Sequence, residues 1–175
     1  MKSWYKLAQQ KILYVMRGVS GSGKSTKARS LPGVAPENIF ETDALIGDSL
    51  EEYDAFFDNM KANDDWTPLS NMHKKLDGML DAAMGEGRSP LVLDNTNLAA
   101  WECKSGVQSA INHGYSVEFI DVGTGGLTAE ELAGRNRHGV DLDTIQKMID
   151  KYENEGQLTI DKVLESDLPE EHMAQ

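Results

Sequence analysis

Gly18-Val19-Ser20-Gly21-Ser22-Gly23-Lys24-Ser25 spells G-x-x-x-x-G-K-S, directly after the apolar run Ile12-Leu13-Tyr14-Val15-Met16 and before a stretch able to form a helix. Strand, glycine-rich turn and helix in that order make the setting of a Walker A phosphate loop. The glycines let the backbone wrap inward so that successive N–H groups point at phosphate oxygens, and the helix N-terminus adds partial positive charge. Gly21, Ser22, Gly23, Lys24, Ser25 and Thr26 are therefore the expected phosphate cradle. In such a loop Lys24 reaches the β- and γ-phosphates and the Ser25 hydroxyl ligates Mg²⁺, so ATP and Mg²⁺ are the expected cofactors. The alternative is a Gly/Ser turn with a solvated lysine.

Outward from the loop, the chain alternates strand and helix signals. A helix from about Lys24 stops at Pro32-Gly33, and a short strand, Asn38 to Thr42, delivers Asp43 at its carboxyl end. Asp48 with Glu51 reads as a capping pair for a helix through Met60, and Thr67-Pro68 as an N-cap followed by a first-turn proline. That second helix carries Leu69, Met72, Leu76, Met79, Leu80 and Ala83 on one face, a core stripe. Pro90 to Leu93 is a strand without alternation, as burial on both faces requires, and it runs into Asp94. A helix over Ala100 to Asn112, a strand over Ser116 to Ile120, a capping box at Thr128 and Glu131, and a helix spacing Ile145, Met148, Ile149 and Tyr152 complete the pattern. Gln157 to Leu164 reads as one more short element.

Strands separated by helices imply parallel β-α-β units and a sheet covered on both faces. The fold expectation is α/β: a P-loop NTPase with a parallel sheet flanked by helices. One domain over residues 1–164 and an acidic, flexible tail over 165–175 account for the length.

Charge and composition narrow the function. No apolar run approaches the ~20 residues of a membrane span, and Met1 to Gln10 mixes Lys, Trp, Tyr and Gln rather than a leader core, so a cytoplasmic protein is expected. The lone Cys103 excludes an intrachain disulfide and reads as a packing residue. His73, His113, His138 and His172 share no zinc-ligand spacing. A net charge of −12 argues against a general nucleic-acid coat. The distribution is uneven, however: residues 1–40 hold seven Lys/Arg and one Glu, whereas residues 41–70 hold one Lys and nine acids. A basic phosphate-handling face beside acidic helices produces this split and leaves room for a weakly bound nucleic-acid substrate.

Ligands in parallel α/β sheets sit at the carboxyl ends of the strands. Gly18, Asp43 and Asp94 all fall there, so three distant segments are expected to converge. Asp94 has the place of a Mg²⁺-holding carboxylate; otherwise it caps the Asn95-Thr96-Asn97 turn. Asp43 is the candidate general base; otherwise it is an N-cap or turn residue. Arg135 and Arg137 are two apart and cannot share a helix face, yet one of them can close over the phosphates from a lid; a surface salt bridge is the other use for either. Asn95 and Asn97 either orient substrate or serve turn chemistry, and Trp101 reads as core rather than as a stacking platform.

Taken together, several segments resemble the polynucleotide-kinase-like P-loop kinases, a group with phage 5′-hydroxyl polynucleotide kinases and related AAA-type orphan kinase domains. The segments are Gly18 to Thr26, Thr42-Asp43, His73 with Ala83-Met84, Leu93-Asp94-Asn95-Thr96-Asn97-Leu98 with Trp101-Glu102, and Glu131-Leu132-Ala133-x-Arg135-Asn136-x-His138-Gly139-Val140, then Ile145, Met148 and Tyr152-Glu153. The likeness covers about residues 11 to 155. It implies a kinase-type core with a small helical lid, ATP as donor and a hydroxyl acceptor. By the same resemblance Lys24 and Ser25 serve phosphates and Mg²⁺, Asp43 is the base, Asp94 or Asn95 fills the acidic turn position and Arg135 belongs to the lid. The chain departs from the pattern in three places. Thr42-Asp43 replaces an Asp-Asp pair, Ile46 stands where phage enzymes place an arginine that grips the substrate's 3′-phosphate, and His138 stands where an arginine can occur.

The expected activity is transfer of the ATP γ-phosphate to a nucleic-acid hydroxyl, a polynucleotide 5′-hydroxyl first. The hydroxymethyl group of a modified pyrimidine such as 5-hydroxymethyluracil in phage DNA, or a small metabolite, is the alternative acceptor. An ATP-binding switch is the alternative from outside the kinases, and it leaves Asp43 without a task.

Overall fold

The apolar run that precedes the phosphate loop forms the centre of the molecule. The computed structural model describes residues 10–136 and 138–169. In it β1 (Ile12–Gly18) lies between β3 (Leu91–Leu93) and β4 (Ser116–Gly123), with β2 (Ile39–Phe40) beyond β3. The order is β2-β3-β1-β4 and every pairing is parallel, with Leu13 opposite Leu91, Ile39 opposite Val92 and Tyr14 opposite Glu118. This is the parallel sheet of a P-loop kinase fold, and its order puts the strand that ends at Asp94 immediately beside the strand that ends in the phosphate loop.

The two-residue period of β1 sorts its side chains between two cores. Leu13 and Val15 join Leu91 and Leu93 against Leu76, Leu80, Ala83 and Met84 of α4 (Thr67–Gly85) and Val107 and Ala110 of α5 (Lys104–Asn112). On the other face Met16 and Val92 pack with Ala28 of α1 (Lys24–Arg29) and with Ile39 and Ile120. A third cluster sits at the carboxyl end of the sheet, where Val19 of the phosphate loop and Leu98 meet Leu132 of α6 (Ala129–Arg135) and Ile145 of α7 (Leu142–Glu155). All of these but Ile39 and Ile120, which are partly buried, are fully or almost fully buried. The α6–α7 pair is therefore packed on the phosphate loop itself.

Several local expectations shift by a residue or two for identifiable reasons. β2 is only two residues long, and Asp43 opens a one-turn helix α2 (Asp43–Ile46) instead of closing the strand. The cap of α3 (Leu50–Asn63) is Ser49, whose side chain accepts from Glu52 N while Glu52 reaches back to Ser49 N, so the S-x-x-E box one residue on prevails over Asp48 and Glu51. Trp66, not Thr67, holds the N-cap of α4, because Asp65 Oδ1 accepts from Thr67 N and draws that residue into the first turn. Met79 leaves the expected stripe at 44% exposed, and Met84 takes its place in the core. Ala100–Cys103 forms a 3₁₀ turn ahead of α5, and β4 runs on to Gly123. The Thr128–Glu131 capping box forms as the sequence indicates. Gln157 to Leu164 contains the start of α8 (Ile160–Glu165), and most of the expected tail lies outside the described residues.

Candidate active site

The phosphate loop is anchored at both ends by backbone contacts. Gly18 N donates to Thr96 O at 3.0 Å, and Val19 N donates to Gly123 O at 2.9 Å, so the loop leaves β1 between the Asp94–Asn97 turn and the end of β4. At its tip Gly21 has a φ of +83°, and a Cβ there would stand 2.7 Å from Leu132 O, so only glycine lets the loop rest on the end of α6. Gly23, at φ +97°, turns the chain into α1. Ser22 and Lys24 are buried and Ser25 is half-buried, whereas Thr26 points outward and is exposed. Lys24 Nζ folds back over the loop to donate to Val19 O at 3.4 Å. Burial draws its pKa below the ordinary lysine value, against the opposing fields of Asp94, Asp43 and Glu41.

Asp94 follows β3 and is 3% exposed. Its backbone N–H donates to Phe40 O at 2.8 Å, yet neither carboxylate oxygen has a hydrogen-bond partner among the described residues. No N–H of the following turn donates to this side chain; the turn is braced instead by Asn97, whose Nδ2 donates to Met16 O at 2.7 Å and to Asn95 O at 3.3 Å with its own φ at +44°. Burial raises the Asp94 pKa, tempered by the Ser25 hydroxyl, Lys24 and Arg29. A buried carboxylate with two idle oxygens is costly in isolation, and such groups are found paired or on metals. Oxygen donors from Asp94 and Ser25, facing the phosphate loop, fit a hard divalent cation such as Mg²⁺.

Asp43 is half-buried beside this pair. His138 Nε2, from the turn after α6, lies 3.3 Å from Asp43 Oδ2, and the imidazole is stacked on Tyr53 of α3. Burial raises the Asp43 pKa, opposed by His138, Lys24 and His73. Asp43 is not the cap of α2, whose N-cap is Thr42, without a side-chain cap hydrogen bond. The neighbouring Thr42 is held by its N–H to Asn95 Oδ1 at 3.0 Å and by its hydroxyl to His73 Nδ1 at 3.2 Å, so Asn95 and His73 tie the segment that carries Asp43 to the Asp94 turn and to α4.

Sequence reasoning passed over two residues here. Glu41 shares the pocket: burial first, then repulsion from Asp94 and Asp43, pushes its pKa up to about 7. Its position at the carboxyl end of β2 was the available signal. Arg17 is 1% exposed and donates to Asn97 O at 3.2 Å, Leu98 O at 3.0 Å and Tyr152 O at 3.1 Å, while pairing with Asp121 at 2.9 Å. Its guanidinium also lies 4.2 Å from the centre of the Tyr152 ring. This one side chain joins the Asp94 turn, β4 and α7. No local pattern marks it, since an arginine near the end of an apolar strand reads as a surface residue.

Arg135 ends α6, exposed and without an ion pair or hydrogen bond among the described residues, and Arg137 lies outside those residues. Asn136 between them braces the turn: Nδ2 donates to Ala133 O and Val140 O, and Oδ1 accepts from Val140 N at 2.8 Å. Cys103 is buried, with its thiol pushed up to about 12, in keeping with packing. Trp101 is half-buried, with the Lys151 ammonium 5.0 Å from its ring centre. No helix among the described residues is long and apolar enough to cross a membrane.

The phosphate loop, an adjacent strand running into a buried carboxylate and a second carboxylate near the loop lysine thus come together at the carboxyl edge of the sheet. A family model described as AAA domain matches residues 13–154, from β1 to the last turn of α7. The chain belongs to this family. AAA domains of this type are P-loop kinase-like, and proteins of that kind generally use ATP and Mg²⁺. The AAA domain here is 32% identical over 160 residues to human NEDD4-binding protein 2, a match that takes in 91% of this chain and 8% of that protein. The chain thus spans a small fraction of the relative's length. A chain of the solved Pnkp1/Rnl/Hen1 RNA repair complex superposes with a TM-score of 0.59, over 87% of this AAA domain and 47% of its own length. At 19% identity that likeness concerns the fold.

Proposed function

We propose that the protein is an ATP-dependent, Mg²⁺-requiring kinase that transfers the γ-phosphate to a hydroxyl of a nucleic acid, with a polynucleotide 5′-hydroxyl as the first acceptor. The observation that carries this reading is Asp94, a buried carboxylate with both oxygens unpartnered beside Lys24 and Ser25. Asp94 and Ser25 are the residues that would hold Mg²⁺, which supplies charge neutralisation on the β- and γ-phosphates. The cradle of Gly21 to Thr26 takes the phosphates, and Lys24 balances the charge of the transferring group. Asp43 takes the proton from the acceptor hydroxyl as its oxygen attacks. The new bond joins acceptor oxygen and γ-phosphorus, the bond to the β–γ bridging oxygen breaks, and ADP leaves. Arg135 and Arg137 are the lid cations proposed to close over the phosphates, Arg135 being exposed at the end of α6.

The nucleic-acid acceptor is supported by the Asp94-Asn95-Thr96-Asn97-Leu98 and Arg135-Asn136-x-His138-Gly139-Val140 segments, which resemble polynucleotide-kinase-like proteins. A small uncharged acceptor, or the hydroxymethyl group of a modified pyrimidine, is the second reading. It is favoured by the acidic flank of the base: Asp54 Oδ1 lies 3.9 Å from the point where a Cβ on Gly139 would stand, and the Tyr53 hydroxyl is raised by burial and by both Asp43 and Asp54.

Transfer of labelled γ-phosphate to a panel decides between them: 5′-hydroxyl DNA and RNA, DNA bearing 5-hydroxymethyluracil, nucleosides and sugars. Labelling of the 5′-hydroxyl strands is the expected result. Labelling confined to the modified base or to a small molecule would replace the acceptor while keeping the kinase. ATP hydrolysis unaffected by any acceptor, and unchanged in Asp43→Asn, would replace the kinase by a switch.

A further inference from the structure

Asp43 is held by a side chain that the phosphates do not need. His138 Nε2 stands 3.3 Å from Asp43 Oδ2. The imidazole lies on the Tyr53 ring with centroids 4.2 Å apart and planes inclined by 30°, and Tyr53 rests on Phe57 at 4.6 Å. Behind the ring, the three hydrogen bonds of Asn136 close the turn that carries His138. Ala133 and Val140, the backbone partners of Asn136, are packed on the cluster that contains Val19 of the phosphate loop. Ring plane, ring height and the direction of Nε2 are thus set by three separate elements. Both partners are about one-third exposed, His138 at 34% and Asp43 at 37%, and an ion pair of that exposure contributes little to stability. What so constrained a contact does supply is orientation.

We propose that His138 is a positioning residue for Asp43: by engaging Oδ2 it fixes the carboxylate's rotation and leaves Oδ1 to receive the acceptor's proton. The inference rests on the reading of Asp43 as the general base. During transfer the acceptor proton passes to Asp43 Oδ1 and the acceptor oxygen bonds to γ-phosphorus as ADP departs. The groups facing Asp43 are His138 from the lid turn, Tyr53 with Asp54 behind it from α3, Lys24 from α1, His73 from α4, and Glu41 and Asp94 at the ends of β2 and β3. Of these His138 is the foremost influence holding the carboxyl below the point to which burial alone would raise it.

The test uses the full chain with His138→Gln, His138→Arg and Tyr53→Leu, each checked by circular dichroism. One readout needs no activity: carbon-detected NMR titration of the Asp43 carboxyl in the nucleotide-free protein, assigned with Asp43→Asn. The others are kcat, KM for ATP and the pH profile, with the acceptor that the wild type phosphorylates. In His138→Gln the Asp43 midpoint should rise, the acid limb of the kcat profile should move to higher pH, and kcat should fall about 10-fold with KM for ATP unchanged. His138→Arg should restore the midpoint and most of kcat, and Tyr53→Leu should give a smaller change in the same direction. An Asp43 titration unmoved by His138→Gln overturns the pairing. A moved titration with unchanged kcat, or a loss of kcat shared with KM and not rescued by arginine, overturns the positioning role. A wild type inert towards every acceptor refutes the kinase and the positioning role with it, while the Asp43 titration still decides whether the pairing exists.

Discussion

Replacing Asp94 by asparagine should make the nucleotide-free protein more stable and at the same time deaf to Mg·ATP. The side chain is 3% exposed with both oxygens unpartnered, and leaving a buried polar group unsatisfied costs about 1–3 kcal/mol, more when it is charged. Part of that cost is already offset by attraction to the buried Lys24, which loses a partner in the variant, so a net gain of about 1 kcal/mol is expected. In a chain of this size that is about 2–4 °C in Tm. The sign with pH follows from the raised pKa. The penalty is absent below the ordinary value of 3.8, grows as pH rises through the folded value, and is complete above it, so the variant's advantage is greatest at neutral pH and fades in acid. Against this, ATP with Mg²⁺ at about 100 times its Kd should stabilise the wild type by about 2.7 kcal/mol, and the variant should lose most of that shift. Scanning calorimetry with and without Mg²⁺ and ATP, at pH 5 and pH 8, reads both effects. A nucleotide-free Tm lowered by more than about 2 °C, with the Mg·ATP shift intact, would make Asp94 a structural turn residue and remove the observation on which the functional reading stands.

Three further outcomes follow from named contacts. Lys24→Ala should abolish phosphoryl transfer with the fold retained, because the lysine neutralises the transferring group; activity above about one-tenth of wild type with a normal circular dichroism spectrum would contradict this. Asp43→Asn should lower turnover by about 10²- to 10⁴-fold with little change in ATP affinity, as steady-state kinetics and calorimetric titration can establish; loss of ATP binding instead would point to a phosphate-site role. Arg17→Met should cost about 3–5 kcal/mol in urea unfolding, since it strands the Asn97, Leu98 and Tyr152 carbonyls and the Asp121 carboxylate. A loss below about 1 kcal/mol would mean that water replaces the guanidinium without penalty.

Much of the fold can be read along the chain because its signals are local. The β1–loop–α1 unit is contiguous, the unalternating Leu91–Leu93 announces a strand buried on both faces, and Thr128 with Glu131 closes a capping box three residues apart. Errors fell where two local signals competed. Ser49 prevailed over Asp48 because its hydroxyl and Glu52 satisfy one another's backbone groups, a reciprocity that residue type alone does not reveal. Met79 fits the helical spacing of a core residue, yet α4 is rotated so that Leu76, Leu80, Ala83 and Met84 carry the packing. Three of the site's anchors, Lys24, Asp43 and Asp94, were legible from their positions at or just after strand ends, because in a parallel sheet all such ends share one edge.

The sequence by itself determined the kind of chemistry: a phosphate cradle made of consecutive backbone N–H groups, a lysine and a hydroxyl at its end, and a carboxylate after the neighbouring strand. Contiguous residues suffice for the cradle, the lysine and the hydroxyl, since local backbone conformation places them, and the carboxylate was legible because the strand ends of a parallel sheet share one edge. Only the tertiary structure decided which side chains govern those groups. Arg17 meets Asn97 across 80 residues of chain and Tyr152 across 135, and His138 of the lid reaches Asp43 at 3.3 Å. Glu41 acquires its raised pKa first from burial and then from Asp94, which only the folded sheet brings near, with Asp43 two residues along the chain adding to it. Coulombic and desolvation energies depend on distance in space and on exclusion of water, and neither is written in the spacing of residues along the chain.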